Sequence, residues 1–389
     1  MFAKLRLLRW LAVRMLDDDL DVPIPATMRR AANLRRRPAA LALLVVCTCA
    51  FIGVVWRSVV RSDDGLGALV RSTWSLDEGA RVLSELGALD VTSVWLDGEW
   101  WRLLTGGLLH ASWLHLGLNG SALWVLARWA EPLLGSGGLL LVVLACSAAG
   151  CLASLVACEA SIVVGLSAGV LGLASCLIVL RVWGAPSQRH QLAEIAHGQL
   201  ILWLVVCLGF GFVVPVVALG GHIGGLASGF LFGLAQRKQR IGAGWIRSVG
   251  VSIPLAILAA LLLRTSPPAV CSSWFGLAWL DRGEPDRAVS WLERAWIRSP
   301  NDASTSNALA YAMALAGIDL ARAEALAKTA MAATTPVNPD YLDTLGWIQC
   351  LRGRPEEGLE ALELAVSMTR SAEIEGHRDA CKVMAESQS

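Results

Sequence analysis

What most constrains this chain is a succession of long apolar segments set between blocks of charge. They run at about 39–59, 103–127, 138–157, 161–182, 199–218, 221–236 and 247–265. A hydrocarbon core ~30 Å thick is crossed by about 20 apolar residues wound as a helix, and several segments reach that length. Charged residues make up only 17% of the chain, and they crowd into residues 1–37, 57–102, 181–194, 237–247 and beyond 281. A soluble protein of this size would carry roughly 25%. Membrane spans explain this distribution better than one large soluble core. Lipid offers the backbone no hydrogen-bond partners, so each span must satisfy its own as a helix. The predicted fold class is all-α: a polytopic transmembrane helical bundle followed by soluble helices. The net charge of +1 decides little, and no nucleic-acid partner is expected.

Orientation follows from where the positive residues lie. Arg29, Arg30, Arg35, Arg36 and Arg37 precede the first segment. Such residues stay on the cytoplasmic side, which places the N-terminus inside. Seven spans then put the C-terminus outside. Arg128 after the second span, Arg181 and Arg189 after the fourth, and Arg237, Lys238 and Arg240 after the sixth agree with that count. Pro215 and a glycine run (Gly220, Gly221, Gly224, Gly225, Gly229) interrupt the fifth and sixth spans. Residues 1–16 carry Lys4, Arg6, Arg9 and Arg14 among Leu, Trp and Val. They read equally as a basic helix on the membrane surface or as a plain cytoplasmic tail. A cleaved signal peptide is not expected, because the first long apolar run begins only near Pro38. Residues 61–100 form a connection rich in tryptophan (Trp74, Trp95, Trp100, Trp101), a residue suited to the headgroup level.

Of ten cysteines, seven (47, 49, 146, 151, 158, 176, 207) lie in apolar segments, and none forms a CxxC pair with a partnering His or Cys cluster. They read as packing residues, and no zinc, redox or other cofactor site is expected. Cys271, Cys350 and Cys381 could pair only in an oxidising compartment.

After Pro267 and Pro268 the composition turns to Ala, Leu, Glu and Arg. Gly283, Gly317 and Gly353 each close one apolar helical pattern and precede a second, amphipathic one, at intervals of 34 and 36 residues. A period near 34 with one helix–turn–helix per unit is the mark of tetratricopeptide repeats. DYLDTLGWIQCLRGRPEEGLEAL (340–362) resembles that family, with Leu345, Gly346, Trp347, Gly353 and Ala361 in pattern. An unrelated helical bundle is the alternative.

Polar groups within a bilayer are costly, so each is a functional hypothesis. His115 and Asn119 are four residues apart and share a helix face, with His110 preceding them. Alone, such a pair would serve as glue between helices. Ser167 is flanked by Gly165 and Gly169. Alone, it would bond back to its own helix. His222 starts a face carrying Gly225 and Gly229, a spacing that lets this helix pack tightly against another. Together they supply the parts of acyl transfer: a nucleophile, a base that titrates near neutrality, and donors for an oxyanion.

In that combination, residues 39–236 resemble the rhomboid intramembrane serine proteases. Trp101–Arg102 resembles the family's WR pair, His115 and Asn119 its HxxxN, Ser167 its GxSG serine and His222 its AHxxGxxxG histidine. Glu131 and Leu134–Gly135–Ser136–Gly137 resemble its turn between the second and third spans. Ala168 stands where glycine is usual, and Gly221 where alanine is. The resemblance implies a six-span core with one extra C-terminal span. It implies Ser167 as nucleophile, His222 as general base, His115 and Asn119 as oxyanion donors, and single-span membrane proteins as substrates.

The expected organisation is a basic cytoplasmic segment 1–38, a protease core 39–240, a seventh span and linker 241–268, repeats 269–370 and a tail 371–389. The expected setting is the bacterial cytoplasmic membrane, with the repeats outside and holding a protein or peptide partner. Two other readings stand beside this one: a catalytically silent relative that binds membrane clients, and a scaffold in which the membrane part is an anchor. The intact Ser and His argue against both.

Overall fold

The computed structural model describes residues 37–61, 76–158, 160, 162–193, 218–238, 245–263 and 267–387. The expected surface helix at 1–16 and nearly all of the expected fifth span, 199–218, lie outside the described residues. Contacts divide the chain into two compact units, Met1–Ser266 and Pro267–Ser389.

The described part of the first unit comprises α1 (Pro38–Arg61), α2 (Leu76–Glu85), β1 (Leu89–Asp90), α3 (Val91–Leu96), α4 (Arg102–Thr105), α5 (Trp113–Leu134), α6 (Ser136–Ala157), β2 (Ile162–Val163), α7 (Ser167–Trp183), α8 (Pro186–Gln191), α9 (Leu219–Gln236) and α10 (Trp245–Leu262). Among the described residues two helices, Pro38–Val60 and Ser136–Ala157, are long and apolar enough to cross a membrane. α7 and Ile246–Leu262 are apolar but shorter.

Two boundaries differ from the expected ones for local reasons. The second apolar segment is not one helix from 103. After α4 the chain makes a 3-10 turn at Gly106–Leu108, and α5 starts only at Trp113. Ser112 is its N-cap, its hydroxyl accepting the His115 N–H at 3.2 Å. The fourth helix starts at Ser167 rather than 161. Residues 162–163 instead pair antiparallel with 89–90, a two-residue ladder among described residues that are otherwise mostly helical.

One carboxylate ties α1 to the α5–α6 turn. Glu131 is buried and accepts the Ala39 N–H at 2.8 Å, the Ala40 N–H at 3.3 Å and the Ser136 hydroxyl at 2.7 Å. An anion there complements the positive end of α1 and takes two N–H groups that have no partner within the helix.

α7 is the central helix, buried over most of its length against α6 and α9. Lipid is as apolar as leucine, so such helices associate by close packing rather than by the hydrophobic effect. The packing is made by glycines. A side chain at Gly169 would stand 2.5 Å from the Val143 carbonyl oxygen, and one at Gly229 would collide with the Gly172 backbone.

The second unit is a row of helices: α11 (Ser272–Asp281), α12 (Pro285–Arg298), α13 (Ala303–Ala316), α14 (Leu320–Ala332), α15 (Pro339–Leu351), α16 (Pro355–Met368) and α17 (Ala372–Glu386). They pack as hairpins α11/α12, α13/α14 and α15/α16, with α17 against α15 and α16. Gly283, Gly317 and Gly353 turn the hairpins with φ of +69°, +67° and +77°, a left-handed conformation that glycine adopts without cost. Ala288, Leu292, Leu309, Met313, Ala327 and Ile348 are core residues shared across the hairpins. Residues 371–389, expected as a separate tail, contain α17, and a disulfide joins its Cys381 to Cys350 of α15.

Candidate active site

Ser167 is the first residue of α7, so its own N–H and those of Ala168 and Gly169 lie at a helix start, where amides have no acceptor within the helix. The loop that delivers it is shaped by Gly165, whose φ is +117°. The Gly165 N–H donates to the Gly106 carbonyl at 3.0 Å. A side chain there would stand 2.6 Å from the His115 imidazole and 3.6 Å from Asn119 Nδ2. Only a bare backbone can therefore pass over this pair. Asn119 is buried, and its Nδ2 has no hydrogen-bond acceptor among the described residues.

His222 lies in the first turn of α9 and is buried. Its Nε2 is 2.9 Å from Ser167 Oγ, a contact between residues 55 apart in sequence. The approach depends on the α7–α9 crossing. A side chain at Gly225 would stand 2.8 Å from the carbonyl carbon and Cα of Ala168, and nearer still to its oxygen. The Ala168 methyl lies against the bare Cα of Gly150 on α6, so that glycine makes room for it.

The structure thus brings Ser167 to His222, His115 and Asn119 to Gly165, and Gly225 and Gly229 to the α7 backbone. Trp101 and Arg102 have their partners elsewhere, in the preceding loop. Arg102 donates to Glu99 at 2.5 Å and to the carbonyls of Ser84 and Ala88 at 2.6 and 2.9 Å, and its guanidinium lies over the Trp101 ring. Gly87, φ +98°, leaves room for Trp101. These two residues hold the loop together.

One neighbour that the sequence marked, His110, had no role assigned to it there. His110 is buried, and its ring meets that of His115 edge-on at 5.1 Å. It precedes the Ser112 cap, so helical spacing from His115 could not place it. Gly150 and Gly172 escaped the sequence reading for a related reason: small residues are common in apolar helices, and only the partner helix shows which ones matter. Among the described residues no group of three His, Cys, Asp or Glu side chains is placed to hold a metal ion.

The apolar helices and the part-buried serine–histidine contact fit a helical membrane protein with a polar Ser–His pair between its helices. Residues 97–239 match the Rhomboid domain family. The chain is 36% identical to "Rhomboid protease GluP" of Bacillus subtilis over 166 residues, 42% of this chain and 32% of that protein. It is 34% identical to "Rhomboid-like protease 5" of Toxoplasma gondii over 202 residues, 47% of this chain and 23% of that one. It is 30% identical to "Putative rhomboid protease YdcA" of B. subtilis over 148 residues, 37% of this chain and 72% of that protein. The chain belongs to the rhomboid family, which is membrane-embedded. It spans less than a third of the length of the first two relatives.

Proposed function

We propose that this chain is an intramembrane serine endopeptidase that cuts single-span membrane proteins in or near their transmembrane helix. The observation that carries the reading is the 2.9 Å approach of His222 Nε2 to Ser167 Oγ. Ser167 Oγ attacks the scissile carbonyl carbon while its proton passes to His222 Nε2. The carbonyl oxygen becomes an anion held by Asn119 Nδ2, His115 and the Ser167 N–H, at the positive end of α7. The intermediate collapses, the C–N bond breaks, and His222 returns the proton to the leaving amine. A water, deprotonated by His222, then hydrolyses the acyl-serine ester. No carboxylate among the described residues is bonded to His222, so the pair acts as a dyad.

The second unit is read as tetratricopeptide-like repeats that recruit protein partners, from the 34- and 36-residue glycine intervals and the hairpins they turn. Its Cys350–Cys381 disulfide favours an oxidising, extracytoplasmic side. That agrees with seven spans that start inside a bacterial cytoplasmic membrane. A reporter fused after residue 389 that is active only in the cytoplasm would overturn this topology.

The catalytic test is cleavage of a generic single-span substrate in liposomes by wild type, Ser167→Ala and His222→Ala. Cleavage by wild type alone is expected. Cleavage that survives Ser167→Ala would assign the nucleophile elsewhere. Intact substrate with wild type would favour the client-binding reading.

A further inference from the structure

The second unit contains a cavity of about 340 Å³, lined chiefly by α11, α13, α15 and α17, the first helix of each hairpin and the closing helix. Its charged groups share one sign. Asp340, Asp343 and Glu373 line it, and the lining includes no Lys, Arg or His. Asp343 is buried and takes His377 Nδ1 at 2.9 and 3.0 Å. Glu373 accepts the Tyr311 hydroxyl at 2.6 Å through one oxygen. Asp340 is exposed. Asn307 Oδ1 is buried with no donor to it among the described residues. The unpartnered amide oxygen and the exposed carboxylates favour a ligand that brings donors and positive charge.

The rest of the lining fits a long cationic side chain. Leu277, Leu280 and Leu292 form an apolar part, against which a methylene stem can lie while its charged head reaches polar groups. Tyr311 and Tyr341 also line the cavity, and aromatic faces attract a desolvated cation. Burial raises both phenols, and carboxylates raise them further: Glu373 and Asp343 for Tyr311, Asp302 and Asp340 for Tyr341. That is the sign of a negative potential in the cavity.

We propose that this cavity docks a lysine- or arginine-bearing segment of a partner polypeptide, the stem on the leucines and the cation among Asp340, Glu373 and the two tyrosines. The inference rests on the reading of this unit as a partner-recruiting repeat domain and specifies what it recruits. A polypeptide fits better than a small amine because the lining draws on four alternate helices of the row, the elongated surface that helix-pair stacks offer. The charge pattern disfavours an acidic peptide or a free C-terminal carboxylate.

The test uses the full chain in detergent micelles and a fluorescein-labelled Ala/Ser peptide carrying two lysines, with its glutamate counterpart and spermine as competitors. The lysine peptide is expected to bind saturably and to weaken at least tenfold between about 0.05 and 0.5 M salt, as screening shortens to a few Å. The variant Asp340→Asn, Glu373→Gln changes two exposed residues and is expected to bind about tenfold more weakly. Its thermal unfolding is expected to match wild type. Equal binding of the lysine and glutamate peptides overturns the proposal, and so does unchanged binding by the double variant. Spermine binding as tight as the peptide would make this a small-cation site and would also overturn it. Proteolysis is measured on the same preparations: cleavage without peptide binding sinks the docking reading, and binding without cleavage sinks only the catalytic one.

Discussion

The distance between Ser167 and His222, the proposed dyad, depends on a glycine on α9, and replacing that glycine isolates the geometry from the chemistry. Gly225→Ala adds one methyl group and removes no catalytic atom. Its Cβ would stand 2.8 Å from the carbonyl carbon and Cα of Ala168. Carbon contacts settle at about 3.5–4.0 Å, so α7 and α9 must part by roughly 0.7 Å or more. Both sides of the clash are helix backbone, which cannot rotate away as a side chain would. His222 sits three residues before Gly225, less than one turn, and Ser167 immediately before Ala168, so the separation acts directly on their 2.9 Å contact. A misplacement near 1 Å costs about 10²-fold in rate, roughly 2.7 kcal/mol of barrier. Overpacking should also cost about 1–3 kcal/mol of stability. The assay is single-turnover cleavage in liposomes, with thermal unfolding measured in parallel. Gly117→Ala is the control, because nothing lies within 4 Å of its added methyl, and activity there is expected to be unchanged. A Gly225→Ala protein with wild-type turnover and wild-type melting would refute the claim that this crossing sets the dyad.

His115→Ala and Asn119→Ala should each lower kcat by about 10²–10³-fold, and the double variant by less than the product, since the residues act as a unit; unchanged turnover in Asn119→Ala would remove its unpartnered Nδ2 from the oxyanion site. Glu324, buried in the second unit, binds Lys328 at 2.6 Å together with Arg352 and Arg354. Burial raises its carboxyl but the three cations outweigh this, and the folded value lies below the ordinary one. Its contribution to stability is therefore complete above the ordinary carboxylate range and lost as pH falls through the lower folded value. Unfolding of this unit, followed by calorimetry of the full chain, should show that acid slope, and Glu324→Gln should reduce it while costing about 1.5–3 kcal/mol at neutral pH; an unaltered slope would exclude the cluster as its source. The Cys350–Cys381 bridge closes 31 residues, so Cys381→Ser should destabilise the unit by about 3–4 kcal/mol. Cysteines that label freely in unreduced native membranes would contradict both the bridge and the oxidising side.

What could be read from the sequence depended on how local its cause is. The apolar runs announced helices at 38–61, 136–157, 219–236 and 245–262 within a few residues, because length and composition decide those. The glycines at 283, 317 and 353 announced their turns, because the left-handed conformation each adopts is a local demand. The run at 103–127 misled for the same reason in reverse. Its hydropathy is continuous, but Gly106, Gly107 and the Ser112 cap interrupt the helix, and hydropathy does not see a cap. Bonds that close across distance were not legible at all: Glu131 holding the start of α1, or Gly150 making room for the Ala168 methyl.

The site shows the same division in its sharpest form. Residue types and short spacings marked Ser167, His222, His115 and Asn119, but alone each had a bland explanation as helix glue. Three features of their placement turn away from that explanation. Ser167 begins its helix, where a hydroxyl has no carbonyl one turn earlier in the same helix to bond back to. The loop before it keeps its path over His115 and Asn119 only because Gly165 has no side chain. The helix carrying His222 meets α7 through glycines, at a closeness that a single methyl would forbid. A structural serine needs none of these three, whereas a serine that must give its proton to His222 and hold an oxyanion beside Asn119 needs all of them at once.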